Sequence, residues 1–151
     1  MLKLSRKTLL ALEAVIDIAF NARPEPVQAK EITARQGVPQ RYLEQVMQQL
    51  VRAGVLKGVR GPRGGYRLAK ERRRISVGDV VRVAESMEDP EERDDGAYRS
   101  DLGVQIVSPL IKSLQQELME RLDAISIEDI CQRARAAGVE CGTENRADFT
   151  I

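Results

Sequence analysis

Residues 29–69 restrict the possible folds of this chain more than any other stretch. Ala29 to Gln36 reads as a short helix around Ile32, stopped by Gly37. Pro39 then suits the first turn of a further helix, because its missing N–H would find no intrahelical partner there. That helix runs to about Ala53 and ends at Gly54, whose tolerance of positive φ suits a C-cap. Two short runs follow, Val55-Leu56-Lys57-Gly58-Val59-Arg60 and Tyr66-Arg67-Leu68-Ala69. They flank Gly61-Pro62-Arg63-Gly64-Gly65, the pattern of a β-hairpin. Helix, glycine turn, polar-faced helix and hairpin in this order make a winged helix-turn-helix.

Helical periodicity supplies the surroundings. Leu9, Leu12, Val15, Ile16 and Ala19 recur at three- and four-residue steps behind Ser5, a suitable N-cap, so a helix is expected from about Arg6 to Asn21. Ser76 to Ala84 reads as another short helix, capped by Ser76 and burying Val77, Val80, Val81 and Ala84. Between Ser86 and Asp101 apolar groups are few, and six acids stand between Glu88 and Asp95, the composition of a mobile, solvated linker. Past it, Val107, Leu110, Ile111, Leu114, Leu118, Leu122 and Ile125 mark a long amphipathic helix, and Ile127, Ile130 and Ala134 suggest one more before Gly138. The polar stretch from Gly142 to Ile151 has nothing to hold it in place, and no internal repeat is evident. The expected fold class is mostly α with a small β-hairpin wing: a winged helix-turn-helix plus a long helix.

Charge separates along the chain. Of 151 residues, 24 are Lys or Arg and 23 Asp or Glu, a formal +1. Met1–Arg74 holds 16 basic and 6 acidic residues, net +10, whereas Ile75–Ile151 holds 8 and 17, net −9. A basic half joined to an acidic half points to a nucleic-acid or membrane partner. No apolar run approaches the roughly 18 residues of a membrane span, and Met1–Arg23 carries Glu13 and Asp17 where a signal peptide would have no charge. A cytoplasmic protein with no membrane partner is expected. Cys131 and Cys141 lack CxxC spacing and there is no histidine, which excludes a disulfide framework and a zinc finger. The same absence leaves Ser-His-Asp or Cys-His chemistry without its imidazole, so no enzyme is expected. Gly58, Gly61, Gly64 and Gly65 fit neither nucleotide-binding glycine pattern.

Duplex DNA is the partner these residues suit. On the helix after Pro39, Leu43, Val46, Met47 and Leu50 mark a buried side, with Arg41, Glu44, Gln45, Gln48 and Arg52 opposite. Arg41, Glu44 and Gln45 lie in the first two turns, where a recognition helix reads bases. Arg can bridge guanine O6 and N7, Gln adenine N6 and N7, and Glu can accept from cytosine N4. Arg60 and Arg63 flank the hairpin tip, placed to enter a minor groove. Lys3, Lys7, Lys57, Arg67 and the Tyr42 hydroxyl are candidates for phosphates, which give affinity without sequence information.

Several stretches resemble one family: Glu31-Ile32 to Gly37-Val38-Pro39, Tyr42-Leu43-Glu44-Gln45, Arg52-Ala53-Gly54-Val55-Leu56, Val59 to Leu68 around Gly64-Gly65-Tyr66, and Ile75-Ser76-Val77-Gly78-Asp79. In this order they resemble the Rrf-type winged-helix transcriptional regulators of bacteria. The resemblance implies a homodimer and a repressor, with DNA contacts at Arg41, Glu44, Gln45 and Arg60. It casts the stripe Val107, Ile111, Leu114, Leu118 and Leu122 as shared between monomer core and dimer seam, and it makes the operator a pseudo-palindrome. The expected organisation is a DNA-binding domain over 1–85, an acidic linker over 86–103, a dimerisation helix and short C-terminal helix over 104–137, and a disordered tail over 138–151. Cluster-binding members carry three cysteines in the loop before the dimerisation helix. Glu85 to Val104 holds none, so no iron–sulfur cluster of that kind is expected as cofactor. The effector is left between a small molecule and a protein. The alternative function is a winged-helix adaptor that binds protein without reading DNA.

Overall fold

The computed structural model describes residues 4–87 and 99–141. Helix α1 (Arg6–Phe20) starts where expected: the Ser5 hydroxyl accepts from the Thr8 N–H at 3.2 Å. At its other end Asn21 closes the last turn twice, its backbone N–H and its Nδ2 both donating to the Asp17 carbonyl at 2.9 Å. The buried stripe is Leu10, Ala11, Ala14, Val15, Ile18 and Ala19. Of the expected stripe Val15 and Ala19 are buried and Leu12 and Ile16 pack half-buried on the core, whereas Leu9 is 53 % exposed, because the core-facing side is centred on the alanines that later helices press against.

Helix α2 (Ala29–Gln36) ends at Gly37 with φ 69, the left-handed turn that glycine allows. Helix α3 (Gln40–Arg52) begins one residue later than expected. Pro39 is its N-cap with ψ 135, because the ring fixes φ but leaves ψ free to stay extended. Leu43, Val46, Met47 and Leu50 are buried, as the periodicity required.

Strands β1 (Leu56–Val59) and β2 (Gly65–Leu68) pair antiparallel, Leu56 opposite Leu68 and Val59 opposite Gly65. A further pairing follows no local pattern: Val27, between α1 and α2, exchanges two backbone bonds with Tyr66, at 3.0 and 2.8 Å. A Cβ on Gly65 would stand 2.3 Å from the Val27 carbonyl oxygen, so glycine is what lets these backbones meet.

Helix α4 (Val77–Ser86) buries Val77, Val80, Val81 and Ala84. A π segment (Gly103–Val107) runs directly into α5 (Ser108–Asp123), and α6 (Ile127–Ala136) follows. Of the expected linker 86–103, Ser86 lies inside α4 and residues 101–103 are helical. Its acids from Glu88 to Asp95, like residues 142–151, lie outside the described residues. The N–H of Ser108 donates to the Gly103 carbonyl, a five-residue step. The wide turn lies just before Pro109, which has no N–H to continue the four-residue ladder.

Ile127 and Cys131 of α6 sit in the same core as α1, α3 and α4. Val77 N donates to the Ile125 carbonyl at 2.8 Å and Ile127 N to that of Ile75 at 2.9 Å, so Ser76 and Ser126 form a one-pair bridge. Both serines cap their helices in matching boxes with Asp79 and Asp129. The segments are Ile75-Ser76-Val77-Gly78-Asp79 and Ile125-Ser126-Ile127-Glu128-Asp129, alike in the Ile-Ser pair and in the Asp that completes each box.

Gly65→Ala should push Val27 away from Tyr66 and cost about 1–3 kcal/mol. Thermal unfolding would show this as about 2–4 °C lost per kcal/mol.

Candidate nucleic-acid interface

Helix α3 packs against α2, which itself buries only Ile32. Ion pairs supply what apolar contact does not. Arg35 of α2 forks onto Asp17 of α1, with Nε to Oδ2 at 2.8 Å and Nη2 to Oδ1 at 2.6 Å. Arg23 Nη2 donates to both oxygens of Glu31, at 2.8 and 2.7 Å, and Glu31 also accepts from the Gln28 N–H at 3.3 Å. Burial pushes the Glu31 carboxyl up, but the Arg23 guanidinium and the Gln28 N–H outweigh it and hold the group below its ordinary 4.5.

On the opposite side of α3 from its buried residues, Arg41 and Gln45 are exposed and Glu44 is half-buried. Gln40, which sequence reasoning passed over, donates from Nε2 to Glu44 Oε1 at 3.0 Å. Its signal was the four-residue spacing that sets two side chains over one another on a helix. Tyr66 of β2 has its hydroxyl pushed up by burial and then by the Glu44 charge, and the wing meets α3 through β1. Arg60, Arg63 and Lys57 are exposed on the wing.

The phosphate candidates divide. Lys57 points to solvent and Tyr42 is half-buried on α3. Arg67 donates to the Pro24 carbonyl and Lys7 Nζ to that of Met87 at 3.4 Å, so both are engaged within the chain. Lys3 lies outside the described residues. Behind the wing, an open cleft of about 1070 Å³ separates Leu68 and Lys70–Arg73 from the C-terminal ends of α1 and α6.

The sequence model of the Rrf2 family, described as an iron-dependent transcriptional regulator, matches residues 4–133. The chain belongs to the Rrf2 family. Among Rrf2-like proteins, it is 40 % identical over 88 residues to the HTH-type transcriptional regulator IscR of Vibrio atlanticus, 58 % of this chain and 51 % of that protein. It thus spans about half the length of these Vibrio relatives. Two solved structures are similar throughout. IscR of T. potens has a TM-score of 0.72 and 35 % identity, covering 95 % of this chain and 96 % of that one. CymR, the global cysteine regulator of B. subtilis, has a TM-score of 0.67 and 30 % identity, covering 88 % and 98 %. Both are similar to this chain in its mostly α fold with a two-stranded wing and a long helix.

The family's link to iron can be tested against the donors present. Cys131 is fully buried, and burial pushes its thiol up, away from the thiolate that binds metal. Cys141 Sγ donates to the Phe20 carbonyl at 3.1 Å. Among the described residues no three His, Cys, Asp or Glu are grouped to hold a metal ion. These donors do not fit a thiolate-held iron centre.

Glu31 has its carboxyl depressed in the folded state, so its contribution is complete above its unfolded value and is lost as pH falls through the lower folded one. Thermal unfolding from about pH 7 to 3 should therefore show wild type losing stability more steeply below about pH 4.5 than Glu31→Gln. The variant should start about 1–2 kcal/mol lower near neutrality.

Proposed function

We propose that this chain is a sequence-specific DNA-binding transcriptional regulator that acts as a homodimer, without a cysteine-held iron–sulfur cluster. The observation that carries the reading is one polar helix face, Arg41, Glu44 and Gln45, set beside a wing bearing Lys57, Arg60 and Arg63. Such a helix presents its N-terminal turns to a major groove, and the wing arginines reach the adjacent minor groove. Repression is the mode we assign, by exclusion of other proteins from the operator. Among the described residues no helix is long and apolar enough to cross a membrane.

The long helix supplies the dimer seam. Leu102, Ile106 and Leu110 are 72, 60 and 55 % exposed, and Val107, Leu114 and Leu118 are exposed as well. A face of this size is covered in a soluble protein by a partner, and a second copy offers the same face to it. Leu122 packs on the chain's own core and Ile111 is half-buried, which supports the shared role expected of the stripe. Two recognition helices related by a two-fold axis then meet half-sites about 34 Å, or a multiple of it, apart. The effector we assign, whether small molecule or protein, acts on this dimer through contacts that shift its DNA-bound pose.

Titration against operator and random DNA at several salt concentrations tests the reading. A regulator shows a slope of about −0.9 per phosphate neutralised, whereas an adaptor that binds protein shows none. Arg41→Ala should cost about 1–3 kcal/mol on operator DNA and flatten the sequence preference, while Lys57→Ala should weaken operator and random DNA alike. Leu110→Glu should turn the dimer into monomer in sedimentation experiments and remove the tight, two-half-site mode of binding.

A further inference from the structure

We propose that Gln40 is a specificity-determining residue, which fixes the Glu44 carboxylate so that the pair together reads a cytosine in the major groove. The proposal rests on the DNA-reading function above and refines which base that helix selects.

Gln40 is the first residue of α3 and exposed, and its amide donates to Glu44 Oε1 at 3.0 Å across one helical turn. Among the residues named as readers, Glu44 is the one with a hydrogen-bonded side-chain partner among the described contacts. It is also the only acid among them, and it must approach a phosphate-lined groove. A glutamate with free rotamers swings away from phosphates, and fixing it there costs side-chain entropy at the moment of binding. The tether to Gln40 spends that entropy beforehand. It occupies Oε1 and leaves Oε2 as an acceptor with defined direction. The half-buried position of Glu44 on α3 further limits where the carboxylate can go.

The chemistry then selects the base. A fixed carboxylate offers acceptors only, so it matches an exocyclic amino group and opposes guanine O6 and N7 or thymine O4. Cytosine N4–H₂ is the donor that stands alone on its major-groove edge, whereas adenine sets the N7 acceptor beside its amino group. A cytosine is therefore favoured, and a guanine is repelled rather than merely unrecognised.

Selection of bound sequences from a random DNA library, run on wild type, Gln40→Leu, Glu44→Ala and the double variant, tests this. Wild type should select cytosine at one position of each half-site. Gln40→Leu should lower that preference about five- to tenfold with other positions unchanged, and random-DNA affinity should stay as it was. Glu44→Ala should abolish the preference, and adding Gln40→Leu to it should change nothing more. If Gln40→Leu leaves the cytosine preference intact, or if the two substitutions act additively, Gln40 has no positioning role and the proposal is overturned. If wild type selects no sequence at all, both this proposal and the DNA-reading function fall together.

Discussion

Two arginine–carboxylate contacts, Asp17 with Arg35 and Glu31 with Arg23, hold α2 against α1 and against the connection that precedes it. Helix α2 has a single core residue, Ile32, so apolar burial alone does not fix its angle on α1. Charged hydrogen bonds are directional in a way that a hydrophobic patch is not, and a forked Arg–Asp pair admits little rotation. The connection over residues 21–28 concentrates this control. It carries Arg23, it carries Pro24, whose carbonyl receives Arg67 of the wing, and it carries Val27, which pairs with Tyr66. Helix α2 and the wing are thereby tied to one short loop.

The opposite side of the molecule is tied by backbone. The bridge between Ser76 and Ser126 joins the N-termini of α4 and α6. The Arg72–Glu128 ion pair adds the segment that leaves the wing. The end of the long helix is therefore connected through α6 to the root of the wing, with Gly78 close against Asp123 at the junction.

Local patterns in the sequence revealed the helices, the hairpin and the buried face of α3, because each depends on a period or a turn residue within a few positions. The Ser5 cap, the Gly37 stop and the burial of Leu43, Val46, Met47 and Leu50 follow from such short-range rules. What escaped was long-range. Asp17 and Arg35 stand 18 residues apart, and no local rule joins them. Val27 pairs with Tyr66 across two helices, and Lys7 and Arg67 looked free because their carbonyl partners lie on other elements. The candidate site was half legible for the same reason. Residue types on α3 declared what they could bind, but the Gln40–Glu44 contact needed both a helix phase and a rotamer. The capping boxes at Ser76 and Ser126 are each local, whereas the bridge between them is long-range.

The π segment at Gly103–Val107 has a geometric consequence for the apolar residues around it. In an unbroken α-helix a side chain drifts about 40° with every four-residue step, so Leu102 and Leu118 would end about 160° apart. One residue absorbed by the wide turn removes about 100° of that drift. Leu102 and Ile106 are swung back toward the azimuth of Leu110, Leu114 and Leu118, and a stripe that would have spiralled around the rod runs nearly straight along it. The irregularity beside Pro109 thus works as a phase correction, which lets a helix with a four-residue apolar spacing present a flat edge over its whole length.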